Sequence, residues 1–221
     1  MLFIAIIFAM AGYSCKGRGG KFIDQGEIHY NIEYSGNLGL PREVLPKNLI
    51  VSFKKDNLLF EITGLGNSGI ANLNNPEKGI FDTYFTFFTR KYYYPAETAE
   101  LNPGLEAMEG MILKKTSKTN VICGFNCKNV EATFPFDEKK VYNIWYTNEI
   151  QVENPNISSP FSQIDGILLD FIFLIGPTEL HFTAQNVYKM DIPDKTFERK
   201  SDFVRVSRDD LNTFINKMIS P

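Results

Sequence analysis

The chain has 221 residues, enough for one large domain with its own core. Hydrophobic residues make up 43% and charged residues 22%, which excludes a disordered or collagen-like chain. With 23 basic against 26 acidic residues there is no global basic field for nucleic acid, and two His and three Cys leave few combinations for a metal centre or catalytic triad.

Residues 2–11, LFIAIIFAMA, form an unbroken apolar run. It is too short to span a bilayer, which takes about 20 residues, and it has the length of a signal-peptide core. No Lys or Arg precedes it. Two cleavage readings compete: Ala9-Met10-Ala11 for ordinary secretion, and Gly12-Tyr13-Ser14-Cys15 as a lipobox-like end in which Cys15 is acylated. A buried N-terminal strand or helix is the third reading. The lipobox reading makes 1–15 a signal peptide, 16–25 a flexible Gly-rich basic tether and 26–221 a single domain.

From residue 26 the pattern has period two. Ile28, Tyr30, Ile32 and Tyr34 fall on one strand face, and His29, Asn31 and Glu33 on the other. Residues 37–46 read as loop. Residues 49–53 and 58–62 alternate around a Lys55-Asp56-Asn57 turn as a hairpin. Residues 64–79 carry Gly, Asn and Pro and read as loop. Strands follow at 80–88 and 92–94. Residues 95–110 read as a connector or a flap, broken by Pro103-Gly104. Further strands are expected at 111–116, 140–150, 167–175, 180–190 and 202–206, with a cysteine hairpin at 120–134, all antiparallel because each follows the last through a turn. Ser207 is a good N-cap, and Leu211, Phe214, Ile215, Met218 and Ile219 recur at helical spacing. The fold expected is mainly β (α+β), a curved antiparallel sheet or half-barrel with a C-terminal amphipathic helix packed on it. Thirty aromatic residues, 19 Phe, 10 Tyr and 1 Trp, favour that sheet.

With Cys15 assigned to lipid, Cys123 and Cys127 remain as a candidate disulfide across a loop of Gly124-Phe125-Asn126; two separate buried thiols are the alternative. Two thiolates without a nearby His do not make a zinc site. Glu149 and Asp170 are carboxylates that acid–base or Ca²⁺ chemistry could use, and local salt bridges explain them as well. His29 reads as a solvated strand residue. His181 sits in no triad spacing.

Three stretches occur in order: Gly124-Phe125-Asn126-Cys127-Lys128, then WYTNEIQV at 145–152, then IDGILLD at 164–170. Together they resemble the GLPGLI family of uncharacterised envelope lipoproteins, with Gln151 and Asp165 standing where that family usually has Pro. The residues that carry the resemblance are Gly124, Cys127, Trp145, Tyr146, Thr147, Glu149, Gly166 and Leu168. The resemblance implies a fold like the Lol-type lipoprotein carriers, with a concave apolar cavity and an acyl or peptide ligand. It brings no established activity to any residue.

The expectation is therefore a non-enzymatic outer-membrane lipoprotein facing the periplasm, or a soluble secreted or periplasmic protein. The membrane, through the N-terminal lipid, and an apolar ligand or an envelope protein are the expected partners. No nucleic acid, cofactor or metal is expected. An anchored interaction or structural component is the alternative, and a hydrolase a third. An apolar cavity between sheet and C-terminal helix is what would favour the ligand.

Overall fold

The computed structural model describes residues 22–36, 38 and 41–219. The signal-peptide reading of 1–15, Cys15 and residues 16–21 of the tether lie outside the described residues. Within them run β1 (Gln25–Gly36), β2 (Asn48–Lys54), β3 (Asn57–Thr63), β4 (Gly69–Asn75), β5 (Ile80–Phe87) and β6 (Arg90–Pro95). After a long connector come β7 (Ile112–Ile122), β8 (Phe125–Phe134), β9 (Asp137–Thr147), β10 (Ile167–Ile175), β11 (Thr178–Tyr188), β12 (Val204–Arg205) and the helix α1 (Arg208–Ile219).

These strands form one open sheet, in the order β12-β6-β5-β4-β3-β2-β1-β11-β10-β9-β8-β7. Strands β1 to β6 are one antiparallel meander and β7 to β11 another. The pairing of β1 with β11 joins them, from Glu27↔Tyr188 to Gly36↔Thr178. The sheet is strongly bent. Phe60 and Asn72, on β3 and β4, share a small cavity with Leu168 and Phe171 on β10. In a flat sheet β4 and β10 would lie five strand spacings, about 24 Å, apart.

The inner face carries the main core. Alternate residues Ile28, Tyr30 and Ile32 are buried, as the period-two pattern requires. Three segments fill the bend. The connector 96–111 runs from β6, near one edge, to β7 at the other, burying Leu105 and Met108. It is a docked connector, not a flap. The loop 148–166 buries Phe161 and Ile164. Phe161 packs with Phe171 and Phe173, and Phe171 stacks on Phe182 with ring centroids 4.8 Å apart. Such pairs add about 0.5–1.5 kcal/mol each beyond the area they bury.

The helix is the third filler. The Ser207 hydroxyl accepts the Asp210 N–H at 3.1 Å, the expected N-cap. Leu211 and Ile215 are buried, and Phe214 stacks on Phe85 and Tyr92. Arg208 ties the helix to the connector, donating to the Glu100 carboxylate, the Leu101 carbonyl and the Glu106 carboxylate at 2.7–2.8 Å.

Two expectations are corrected. Residues 64–79, read as loop, contain the strand β4. The sheet is also not antiparallel throughout. After β11 the chain crosses the outer face, where Ile192 and Phe197 pack with Leu59, Leu73 and Tyr84 in a second, smaller core. It then meets β6 in parallel through Val204↔Tyr92 and Arg205↔Tyr93. A long excursion removes the turn that would have forced an antiparallel return.

Between Leu168 and Asp170 the β9–β10 ladder shifts register. The Tyr30 hydroxyl reaches across and donates to the Leu168 carbonyl at 2.7 Å. Tyr30→Phe should therefore cost about 1–3 kcal/mol, the penalty for orphaning a buried carbonyl. Tyr34→Phe, four residues along the same face, removes a hydroxyl with no hydrogen bond to the described residues and should be near neutral. Urea unfolding of the two variants checks the contrast; equal losses would remove the role given to the Tyr30 bond.

Candidate functional site

β7 and β8 meet at Ile122↔Phe125, so the turn is the two residues Cys123-Gly124, both at positive φ (50° and 79°). That is a tight hairpin turn and not the three-residue loop expected. Cys123 sits in the turn itself, and Cys127 lies opposite Asn120. The two do not face one another, and both are free thiols, which corrects the disulfide. Cys123 donates to the Ala184 carbonyl at 3.4 Å. Cys127 is buried, and burial, reinforced by Glu149, Cys123 and Asp170, pushes its thiol up to about 11.

The residues that carry the resemblance form a clasp where β9 turns toward β10. Glu149 accepts the Asn126 side-chain N–H at 2.6 Å and its backbone N–H at 3.3 Å, holding the tip of the cysteine hairpin. The Thr147 hydroxyl accepts the Glu149 N–H. A Cβ on Gly166 would lie 2.7 Å from the Tyr146 ring and 2.8 Å from the Thr147 carbonyl, so close approach excludes any larger residue. The Asn156 side chain donates to the Gly166 carbonyl at 2.9 Å. Trp145 is half-buried and pairs with Asp170, while Tyr146 is buried on the opposite face. Of the motif, only Leu168 lines either of the two cavities inside the bend.

Asp170 binds His181 at 2.7 Å, and this hydrogen bond raises the imidazole pKa against the opposing effect of burial. Glu33 and Glu179 add to the rise. No hydroxyl or thiol is bonded to His181 among the described residues. His29 bonds Glu27 at 2.9 Å on a partly solvated face. No group of three or more His, Cys, Asp or Glu among the described residues could hold a metal. No helix among them is long and apolar enough to cross a membrane.

The space that remains inside the bend lies away from α1, because Phe214 fills the contact between helix and sheet. Two adjacent cavities carry the site. The rim cavity, about 220 Å³, opens where the ends of β1, β3, β4, β5 and β10 converge. Its walls are Tyr34, Val44, Leu45, Ile62, Leu65, Ile70, Phe87, Phe88, Ile175 and Leu180, with Ser68 and glycines between them. The lining is almost wholly apolar. Leu65 and Phe88 are 65% and 62% exposed at its mouth, an exposure that folding alone does not call for. Phe88 holds φ at +53°, in the left-handed region that costs a bulky residue, and its ring packs over Gly66 and against Phe87. Burial pushes the Tyr34 hydroxyl above the ordinary tyrosine range.

The inner cavity is smaller, about 50 Å³, and of mixed chemistry. Phe60, Phe171 and Phe173 give it aromatic walls, and Asn72, Asn74, Asn102, Asn156 and Ser158 give it polar ones. The Ser158 hydroxyl is buried with no hydrogen-bond partner. An orphan of that kind costs about 1–3 kcal/mol. The side-chain amides of Asn74 and Asn102 also bond to none of the described residues, although Asn74 is buried. The two cavities share Ile62 and Ile70, a cross-strand pair, in their walls.

No protein-family model matches the chain, and no curated protein does. Its fold is similar to that of PNGF-II, solved in space groups P21 and C2, with TM-scores of 0.55 and 0.54 at 16% identity. The match covers 88% of this chain and 34% and 33% of the two PNGF-II chains, so this chain spans about a third of PNGF-II. The likeness is one of fold. The Mycobacterium tuberculosis lipoprotein LppX is similar more weakly, with a TM-score of 0.33 and 10% identity over 76% of this chain and 89% of that one.

Maleimide should label Cys123 in the native protein and Cys127 only after unfolding, and no Cys123–Cys127 link should show in the mass of the unreduced protein. For His181 the folded pKa lies above the free value near 6.5. Its bond to Asp170 therefore stabilises fully below that value, and the contribution is lost as pH rises through the folded pKa. The denaturant midpoint should fall from pH 6 to pH 8 more in the wild type than in Asp170→Asn; parallel pH profiles would contradict the assignment.

Proposed function

We propose that the protein is a non-enzymatic, lipid-anchored component of the cell envelope that holds an acyl or other apolar chain in the rim cavity. The rim cavity itself carries this reading: its space is bounded almost entirely by apolar side chains, and it stays open although α1 and two loops fill much of the bend. Ligand pockets for drug-sized molecules run about 300–1,000 Å³, so this one suits a short chain or the end of a longer one. The anchoring half of the reading rests on the leader and Cys15, and on the resemblance of residues 121–175 to the GLPGLI lipoproteins. Membership of that family, with its Lol-type carrier likeness and outer-membrane location, belongs to the same proposal.

A second reading has its own observation. Leu65, Phe87 and Phe88 stand exposed around the mouth and could seat an apolar side chain of an envelope protein. The two readings separate by ligand. Full chain carrying Cys15→Ala should take up N-phenyl-1-naphthylamine with a rise in fluorescence, saturating at one dye per chain. Ile70→Trp, which fills the cavity, should weaken uptake about tenfold or more, roughly 1.4 kcal/mol. Absence of saturable uptake by the wild type, or full uptake by Ile70→Trp, would overturn the ligand reading.

A further inference from the structure

The inner cavity sets amide and hydroxyl groups among apolar walls, and it shares Ile62 and Ile70 with the rim cavity. Three polar side chains lining it are unused: the Ser158 hydroxyl, buried without a partner, and the amides of Asn74 and Asn102. Buried polar groups are ordinarily hydrogen-bonded, so the closed-off Ser158 hydroxyl calls for a bonding partner beside it, and the amides of Asn74 and Asn102 line the same space unpaired. They supply donors and acceptors alike. No Lys, Arg, His, Asp or Glu lines the cavity. A carboxylate or phosphate placed there would be desolvated with no counter-charge, whereas an uncharged head would not carry that cost.

Size agrees with the chemistry. One water needs about 10–15 Å³ of such space, so about 50 Å³ accommodates three or so hydroxyl-sized groups. Ile62 and Ile70, lining both cavities, then stand between the end with polar groups and the apolar one. We propose that the two cavities form one bipartite site for an amphiphile with an uncharged, hydroxyl- or carbonyl-bearing head. The acyl chain lies in the rim cavity and the head in the inner one, bonded by Ser158 and Asn74. This rests on the acyl-binding reading above and adds the class of head group.

The test compares two probes on the full chain carrying Cys15→Ala: a medium-chain monoacylglycerol and the fatty acid of the same chain length, each displacing N-phenyl-1-naphthylamine. The monoacylglycerol should bind about tenfold tighter or more, the worth of one or two hydrogen bonds. Ser158→Ala and Asn74→Leu should bring the two probes to within about twofold of each other. Equal affinity for both probes in the wild type would overturn the bipartite site, as would a preference that both variants retain; ordered water would then satisfy Ser158. In each case saturable dye uptake by the chain carrying only Cys15→Ala remains, which separates that outcome from failure of the acyl reading. Should either variant fold poorly, Ser158→Cys, nearly isosteric and a weaker donor, supplies the same comparison.

Discussion

The ladder between β1 and β11 holds the molecule together as one object. Each meander alone is a run of hairpins with one face to cover. Pairing Gly36 with Thr178 and Tyr34 with Leu180 makes them a single twelve-strand sheet, and the Tyr30 bond to the Leu168 carbonyl secures the bend across the seam. Both cavities straddle that seam. The rim cavity takes Tyr34, Ile62 and Ile70 from one meander and Ile175 and Leu180 from the other. The inner cavity takes Phe60 and Asn72 from one, Phe171 and Phe173 from the other. Neither exists in half a molecule.

What stays empty inside the bend depends on what the covering segments bring. The connector must cross the inner face because β6 and β7 lie toward opposite edges, so its apolar residues are delivered to the centre. Phe161 packs on Phe171 and Phe173, and Phe214 on Phe85 and Tyr92. The strand rows leave a third region unfilled because they are polar there: Asn72 pairs with Thr83 through a side-chain hydrogen bond of 2.8 Å, and Asn74 stands next along β4. Apolar loops gain nothing by covering such a row.

Much of the scaffold was legible in the sequence. Alternation placed β1, β2, β3 and β10 because their inner-face residues are apolar and their outer ones largely are not, or because both faces are covered. Helix α1 was legible from its cap and spacing. Strand β4 was not, because Asn72 and Asn74 occupy positions where alternation expects apolar residues. That same departure marks the inner cavity. The cysteine hairpin was placed correctly and its turn was not: Cys123 adopts a positive φ that its residue type does not announce. The motif around Trp145, Thr147, Glu149 and Gly166 was visible as a pattern, yet its residues serve packing and local bonding. The rim cavity was invisible because several distant segments build it. The available signal was Phe87-Phe88, two aromatic residues at a hairpin turn, where turns prefer Gly, Asn and Asp.

The same seam governs the order of assembly. Gly36 and Thr178 are 142 positions apart, so during synthesis the first meander emerges with one flank of its opening strand bare long before its mate is made. Contacts that distant slow folding, and a naked strand flank invites pairing with other nascent chains. A polypeptide built this way benefits from being kept extended by a chaperone until its last third arrives, and a chain truncated before residue 178 would present that flank permanently.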